Sequence, residues 1–295
     1  MATATVNGLT VGYEVIGGQG GGQGRTWALT PGGRDGRDTP GLRELASALA
    51  ERGHRVLLWD RPNTGESDVC FTGSSESAMQ AGVLAGLLAR LDMAPAVIAG
   101  GSGGSRVSLL TAARHREVAS GLAVWWISGG VFGLLSIANH YCGGSIRAAW
   151  EGGMAAVAAL PEWAEVLDRN PANRRRLLEA DPGGFIAVLE RWMAAYCPRD
   201  GELVPGLPDE DARALDVPAL VFRSGASDVH HRRETSEHVA ELLPDARLVE
   251  PPWGDGEWHE RQAARTAGTA PGLFVRWPLL APVLHEWAAD VLPTA

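Results

Sequence analysis

Residues 96–115 read AVIAGGSGGSRVSLLTAARH and contain the pattern G-x-S-x-G centred on Ser102. The run Ala96–Ala99 is short and apolar, which is typical of a buried strand, and Gly104–His115 has apolar residues at helical spacing. A serine between a strand and a helix occupies a tight turn, and that turn needs small neighbours on both sides. The stretch therefore predicts a strand–turn–helix unit with Ser102 at its apex.

A serine in this position has the geometry of a catalytic nucleophile. The N–H group of the next residue, Gly103, would point at the oxyanion of a tetrahedral intermediate, supported by the helix N-terminus. The alternatives are a glycine-rich phosphate loop and a plain tight turn. Against the phosphate loop, Arg106 stands where the third glycine would be required. We therefore interpret Ser102 as the nucleophile and Gly103 as an oxyanion donor.

Composition excludes several chemistries. The 295 residues are 45% hydrophobic and 21% charged, which is globular composition, and the net charge is −9. All 26 basic residues are arginine, so a lysine Schiff base, a pyridoxal phosphate anchor and a P-loop lysine are excluded. The arginines are dispersed, and the cluster Arg174–Arg176 is interpreted as a solvated helix face. We expect no nucleic-acid partner.

The cysteines and the first residues bear on metal binding and location. Cys70, Cys142 and Cys197 are odd in number and lack C-x-x-C spacing, which argues against disulfides and zinc. We expect no metal and no cofactor. The opening MATATVNGLTVGYEV alternates like strands and does not resemble a signal peptide, so a cytoplasmic location is expected. The uncharged stretch 121–146 is broken by glycine pairs and polar residues, and we expect no membrane span.

Strand-like and helix-like segments alternate in the first and last parts of the chain, which predicts a mostly parallel sheet with helices on both faces. The opening strands are expected to be antiparallel, as the exception in this sheet. The glycine-rich connector 17–24, which joins them to the next strand, is interpreted as a hairpin turn. From residue 131 to 205, helical segments follow one another without a strand, and Pro161, Pro171 and Pro182 mark helix starts. The predicted organisation is an α/β core, 1–130 and 206–295, with an all-helical cap, 131–205.

A serine hydroxyl needs a base and an orienting acid. Asp228 follows the predicted strand Ala219–Arg223, and its alternative role is that of a turn or helix N-cap aspartate. His259 lies in the segment after the next predicted strand, Arg247–Glu250, at the same sheet edge. His230 and His231 are so close to Asp228 that we expect them to line the pocket rather than reach Ser102 independently. We therefore predict Asp228 as the acid and His259 as the base.

In the order Ser102, Asp228, His259, the chain resembles the α/β-hydrolase fold family over nearly its whole length. Residues 60–67, DRPNTGES, are similar to that family's D-x-x-G-x-G-x-S segment, with Asn63 where glycine is usual. The resemblance implies an eight-stranded, mostly parallel sheet and places the helical insertion where the family has its cap.

The chain departs from the family after its third strand. The family's His-Gly is replaced by the segment Leu29–Arg34, LTPGGR. Its glycines still permit close backbone approach, so either Gly33 or Arg34 supplies the second oxyanion N–H, and Gly33 is our choice. The missing histidine indicates a different brace for this loop, for which Arg34 is the candidate.

The resemblance implies acyl transfer to water with a small hydrophobic substrate, an ester or a lactone. Carbon–carbon bond hydrolysis of a diketone-type metabolite and a non-hydrolytic ligand-binding scaffold remain alternatives, and a homodimer remains open. Aromatic residues in and beside the cap favour a bulky apolar ligand, although a tryptophan-filled core explains them as well. The predicted substrate-binding residues are Gly32, Arg34, Trp125, Trp126, Tyr141 and Trp192.

Overall fold

The computed structural model describes residues 2–18, 24–269 and 272–292. Most of the predicted glycine-rich hairpin turn, residues 19–23, lies outside the described residues. The strands of the described part are β1 Ala2–Val6, β2 Leu9–Gly17, β3 Thr26–Thr30, β4 Arg55–Trp59, β5 Ala96–Gly101, β6 Ala119–Trp125, β7 Glu202–Val204, β8 Leu207–Pro208, β9 Ala219–Phe222 and β10 Ala246–Val249.

The α-helices of the described part alternate with strands from β3 to β6 and from β8 to β10, and five of them follow one another between β6 and β7. They are α1 Leu42–Ala50, α2 Glu76–Arg90, α3 Gly103–Arg114, α4 Val131–Ala138, α5 Gly144–Ala158, α6 Pro161–Arg169, α7 Pro171–Glu179, α8 Pro182–Ala194, α9 Asp209–Arg213, α10 Arg233–Leu242, α11 Glu257–Thr266 and α12 Ala281–Val291.

Eight of the ten described strands form one sheet in the order β1-β2-β4-β3-β5-β6-β9-β10, and β7 and β8 form a separate antiparallel pair. The pairs β1–β2 and β2–β4 are antiparallel, and every pair from β4 to β10 is parallel. The predicted fold class is thereby confirmed. The chain leaves β3 toward β4 on one side and reaches β5 on the other, so the strand order reverses between β3 and β5. In open parallel sheets, ligands bind at the carboxyl ends of the strands at such a switch point.

The sheet separates two hydrophobic cores, because successive side chains of a strand point to opposite faces. Along β5, Ile98 packs into the core on the α2–α3 face, whereas Val97 and Ala99 pack into the core on the α1–α12 face. All residues of β5 are buried. A strand enclosed on both faces is a rigid support for the turn that follows it.

Helices α4 to α8 follow one another without a strand, as predicted for the cap, and enclose a third core around Trp163, Trp192 and Phe185. Pro161, Pro171 and Pro182 each occupy the first turn of a helix, also as predicted. Within the described ranges, no helix is both long and apolar enough to cross a bilayer.

We expect Gly104→Ala to destabilise the fold. A Cβ atom on Gly104 would overlap the carbonyl oxygen of Thr30, which is backbone and cannot swing away. Overpacking of this kind costs about 1–3 kcal/mol, so the free energy of unfolding measured in urea should fall by that amount. Gly82→Ala is the matched control, because its Cβ would lie 3.8 Å from the nearest neighbour, within helix α2. Equal stability of the two variants would contradict the close approach of β3 and α3.

Candidate active site

Ser102 joins β5 to α3 in a strained backbone conformation. Its φ of 55° and ψ of −122° lie in a region that favours glycine, and its N–H donates to the carbonyl oxygen of Trp125 at 3.2 Å. The flanking glycines are required because a Cβ on Gly101 would overlap the Trp125 indole and one on Gly104 would overlap Thr30. The predicted strand–turn–helix unit is present, with the serine partly exposed at its apex.

The histidine at Ser102 is His231. Its Nε2 lies 2.9 Å from Oγ of Ser102, and its Nδ1 lies 2.8 Å from Oδ2 of Asp228. An ionised carboxylate only accepts hydrogen bonds, so Nδ1–H donates to Asp228 and Nε2 is left with its lone pair toward the serine hydroxyl. This tautomer is the one that a base for Ser102 needs.

A tight turn after β9 brings the acid and the histidine together. Oδ1 of Asp228 accepts hydrogen bonds from the backbone N–H groups of His230, at 2.9 Å, and His231, at 3.0 Å. The carboxylate thus holds the turn with one oxygen and the imidazole with the other. A contact of His231 with Ser102 was not predicted, because His231 is near Asp228 in the chain. The spacing Asp-x-x-His was the available signal, since aspartate side chains commonly accept from N–H groups two and three residues later.

The prediction that His259 contacts Ser102 is wrong. The segment after β10 was expected to be a loop, but Glu257–Thr266 forms helix α11, and His259 is exposed on it. The partner of the Ser102 hydroxyl is His231 instead.

Helix α11 supports the site through Arg261. Its guanidinium carbon lies 4.8 Å from the ring centre of Trp126, and its Nη2 lies 3.9 Å from Oδ2 of Asp228. Trp126 in turn stacks on the imidazole of His231, with ring centres 5.9 Å apart and planes inclined by 19°. Glu257 accepts from Nε of Arg261 at 3.0 Å and fixes the guanidinium. The histidine is therefore held from its face as well as by its acid.

The environment of Asp228 keeps it ionised. Burial by itself would raise the pKa of this carboxyl, but attraction to His231 and the hydrogen bonds from His231 and His230 outweigh it. The pKa of Asp228 therefore lies below the ordinary aspartate value. A carboxylate at Nδ1 favours a protonated imidazole, which is the form that appears when the histidine accepts the serine proton.

The loop after β3 lies against the nucleophile. A Cβ on Gly32 would be 2.8 Å from Cβ of Ser102, and the backbone nitrogen of Gly33 is 3.5 Å from the position of a Cβ on Gly103. Gly103 is the first residue of α3, where backbone N–H groups lack helical partners. The N–H groups of Gly33 and Gly103 thus border one small space beside Ser102.

Arg61 braces the backbone of this loop. Nη2 of Arg61 donates to the carbonyl oxygens of Gly32 at 3.0 Å, Gly33 at 2.8 Å and Asp35 at 3.3 Å. The Arg34 side chain, the expected brace, makes none of these bonds and instead links the loop to its surroundings. The sequence signal for Arg61 was its position directly after Asp60, at the end of the strand next to β3.

Arg34 points toward the cap. It donates to Oε1 of Glu76 and to the carbonyl oxygen of Tyr141, each at 3.1 Å. Its guanidinium also lies over the rings of Tyr141 and Trp163, 5.3 and 5.2 Å from their centres. Arg34 therefore ties the loop after β3 to the cap.

The other aromatic residues predicted to bind substrate divide into two groups. Trp125 is fully buried in the α1–α12 core beside Phe222, and Trp192 is buried in the cap core, so neither lies on a pocket wall. Trp126 contacts the histidine, and the Tyr141 hydroxyl is 3.6 Å from the position of a Cβ on Gly103.

Two open cavities adjoin the site. One, of 420 Å³, is lined by Phe132, Asp228 and Val229 among others, and one of 410 Å³ includes Ser128 and Leu134. Ser102 lines neither of these two cavities. Among the residues that the structure describes, no three His, Cys, Asp or Glu side chains cluster in a way that could hold a metal ion.

Solved structures that resemble this chain match most of its length. The enol-lactonase of Burkholderia xenovorans is 24% identical with a TM-score of 0.56, covering 90% of this chain and 97% of its own. An esterase of Thermogutta terrifontis is 21% identical with a TM-score of 0.59, covering 99% of each chain. A meta-cleavage product hydrolase of Pseudomonas fluorescens is 17% identical with a TM-score of 0.59, covering 98% of each chain.

The sequence matches no protein-family model and no curated protein. The structural likeness nevertheless extends over 90–99% of this chain, in neighbours that are all α/β hydrolases. This chain has the α/β-hydrolase fold.

Proposed function

We propose that this protein is a serine hydrolase that cleaves a hydrophobic carboxylic ester or lactone through an acyl-enzyme on Ser102. The observation that carries the proposal is the hydrogen-bonded chain from Ser102 Oγ through the His231 imidazole to Asp228, with 2.9 and 2.8 Å contacts. A serine hydroxyl is a weak nucleophile, and a base at hydrogen-bond distance, oriented by an acid, is what activates it.

In the first half of the reaction, Ser102 Oγ attacks the carbonyl carbon and its proton passes to Nε2 of His231. Asp228 stabilises the imidazolium that forms. The carbonyl electron pair moves onto oxygen, where the N–H groups of Gly33 and Gly103 receive the oxyanion. When the intermediate collapses, His231 gives its proton to the departing alkoxide, and the acyl group stays on Ser102.

In the second half, water takes the place of the alcohol. His231 accepts a proton from the water, the resulting hydroxide attacks the acyl carbon, and Ser102 leaves with the proton returned from Nε2. The histidine alternates between base and acid without leaving hydrogen-bond distance. The product is the free carboxylic acid, and for a lactone the alcohol remains attached to it.

Exposed apolar side chains at the start of α4 and in the turn that carries His231 support a hydrophobic substrate. Phe132 and Val131 are 64% and 62% exposed at the start of α4, and Val229 is 47% exposed in the turn that carries the histidine. Phe132 also stacks on His230, with ring centres 5.5 Å apart. Exposed apolar groups clustered beside a reactive centre commonly mark a ligand entrance. Two of the structural neighbours are an enol-lactonase and an esterase, which agrees with this class.

His231→Ala should abolish turnover, whereas His259→Ala should leave it unchanged. Loss of the base in a triad lowers kcat by about 10⁶-fold, and His259 is exposed on α11 away from the serine. Hydrolysis of p-nitrophenyl butyrate measures both. Ser102→Ala should remove labelling by a fluorophosphonate probe. Turnover that survives His231→Ala and disappears in His259→Ala would overturn the assignment of the base.

Asp228→Asn should lower kcat by about 10⁴-fold, because an amide no longer selects the required tautomer of the histidine. It should also change how stability depends on pH. The folded pKa of Asp228 is lowered, so its contribution is complete above the unfolded-state pKa and is lost as the pH falls through the folded value. Melting temperatures of wild type and variant should therefore converge in acid. A constant difference down to the lowest pH would contradict the ionised carboxylate.

A panel of substrates tests the chemical class. Incubation with alkyl esters, lactones and vinylogous diketones, followed by mass spectrometry, should show acid products from the esters or lactones, with Ser102→Ala as the blank. Cleavage confined to the diketones would replace this proposal by carbon–carbon bond hydrolysis. Absence of any product and of fluorophosphonate labelling in folded protein would leave a non-hydrolytic scaffold.

A further inference from the structure

Three polar groups surround the space beside Gly103 in which the oxyanion would form. A Cβ on Gly103 would lie 3.5 Å from the Gly33 nitrogen, 3.5 Å from Nη1 of Arg61 and 3.6 Å from the Tyr141 hydroxyl. Two of these groups are N–H donors, and one of them carries a full positive charge. The backbone donor is the expected one for this reaction. The guanidinium has no role in the mechanism described so far beyond bracing the loop.

The donors of Arg61 are only partly used. Its residue is 3% exposed, and its three hydrogen bonds all come from Nη2. Nε is buried without a partner, and Nη1 makes no hydrogen bond to any residue that the structure describes. Nη1 is therefore available to donate a hydrogen bond to an acceptor that enters the site. Nη1 is also the nitrogen that lies nearest Gly103.

The surroundings of Arg61 are rich in positive charge. Arg34 lies nearby, and the buried acid of this region, Glu76, which acts on both Arg61 and Arg106, is engaged by Arg34 at 3.1 Å. Arg106 bonds to neutral hydroxyls, Ser128 at 3.0 Å and Tyr196 at 2.9 Å. Burial raises the pKa of Tyr196 to about 12, so this phenol supplies no negative charge at neutral pH.

Asp35 is the remaining acid beside Arg61. Burial raises the pKa of Asp35, and attraction to Arg61 counters that rise only in part. Arg61 bonds to the carbonyl oxygen of Asp35, and no hydrogen bond joins its guanidinium to the Asp35 carboxylate. The positive charge is therefore incompletely neutralised in the resting site, and an anionic oxygen beside Gly103 would be stabilised strongly by it.

We propose that Arg61 is a catalytic residue, a positively charged third donor to the oxyanion of the tetrahedral intermediate at Ser102. This inference rests on the proposed function. When Oγ of Ser102 bonds to the carbonyl carbon, the carbon–oxygen double bond gives up an electron pair to oxygen, and the Ser102 proton goes to His231. Arg61 donates a hydrogen bond from Nη1 to that oxygen and keeps its own proton throughout.

The same donors could instead receive a carboxylate carried by the substrate, and the two cases make opposite kinetic predictions. An oxyanion forms in the transition state with every ester, so its donor lowers the barrier equally for neutral and charged substrates. A carboxylate subsite acts on binding and only on charged substrates. The convergence of Nη1 with the Gly33 nitrogen on the space beside Gly103 favours the oxyanion.

Arg61→Gln removes the charge and keeps a side-chain donor for the loop, and Arg61→Lys keeps the charge. Each is assayed on p-nitrophenyl butyrate and on p-nitrophenyl hemisuccinate, which differ chiefly in a carboxylate. Loss of one oxyanion donor lowers kcat by about 10²–10³-fold, and we expect that loss for Arg61→Gln on both esters with KM little changed. Arg61→Lys should fall between wild type and Arg61→Gln. The matched control is Arg114→Gln, an exposed arginine on α3 that also donates to a carbonyl, that of Gly206, and kcat should not change.

A transition-state analogue separates catalysis from bracing. An alkyl trifluoromethyl ketone forms a tetrahedral anion on the serine, so its inhibition constant should rise with each Arg61 variant in proportion to the loss of kcat/KM. Circular dichroism and melting temperature establish that the variants are folded. If Arg61→Gln does not fold, Arg61→Lys and its inhibition constant decide the question.

The inference is overturned if kcat of folded Arg61→Gln equals that of wild type, or if only KM for the hemisuccinate changes, which would assign Arg61 to a substrate carboxylate. It is also overturned if kcat falls while the inhibition constant of the ketone does not. Failure of the proposed function looks different, because wild-type protein would then show neither fluorophosphonate labelling at Ser102 nor hydrolysis of either ester.

Discussion

The site depends on the close approach of two backbone segments, the end of β3 and the start of α3. Glycine at 104 permits it, because any Cβ there would overlap the carbonyl oxygen of Thr30. The approach places the Gly32–Gly33 loop against Ser102 and holds the serine in a left-handed conformation. The proposed nucleophile and its two proposed backbone donors are thus positioned by the packing of parallel strands at their switch point rather than by flexible side chains.

The proposed acid and base, Asp228 and His231, share one short turn, which distinguishes this site from the arrangement expected from the family resemblance. Since Asp228 accepts from two backbone N–H groups of the turn as well as from the imidazole, the orientation of His231 is coupled to the local backbone. The segment after β10 is then free to form a helix. That helix contributes Arg261, which contacts the ring of Trp126 and lies near Asp228.

Sequence patterns predicted the sheet, the cap helices and Ser102 because each depends on local periodicity and on small residues next to a turn. They failed at His231, because we assumed that two residues so close in the chain cannot both belong to the hydrogen-bonded chain at Ser102. The tight turn at Asp228 brings the His231 side chain back against the carboxylate, which makes this possible. Sequence patterns also failed at Arg61 and Trp125. The role of an arginine in bracing a loop, or of a tryptophan in packing beneath a turn, depends on which strands lie side by side in the sheet. Those strands are distant in sequence, so no local pattern predicts the contact.

The electrostatics of the site follow from the geometry of a guanidinium. The chain carries a net charge of −9, yet the space beside Ser102 borders buried arginines. The guanidinium of Arg61 is planar. Hydrogen bonds from Nη2 to three carbonyl oxygens therefore also fix the directions of Nε and Nη1. A lysine ammonium, held by one atom at the end of a flexible chain, would leave its remaining donors free to rotate. The hydrogen bonds that brace the loop therefore also fix the direction of the charge that we propose acts on the reacting carbonyl.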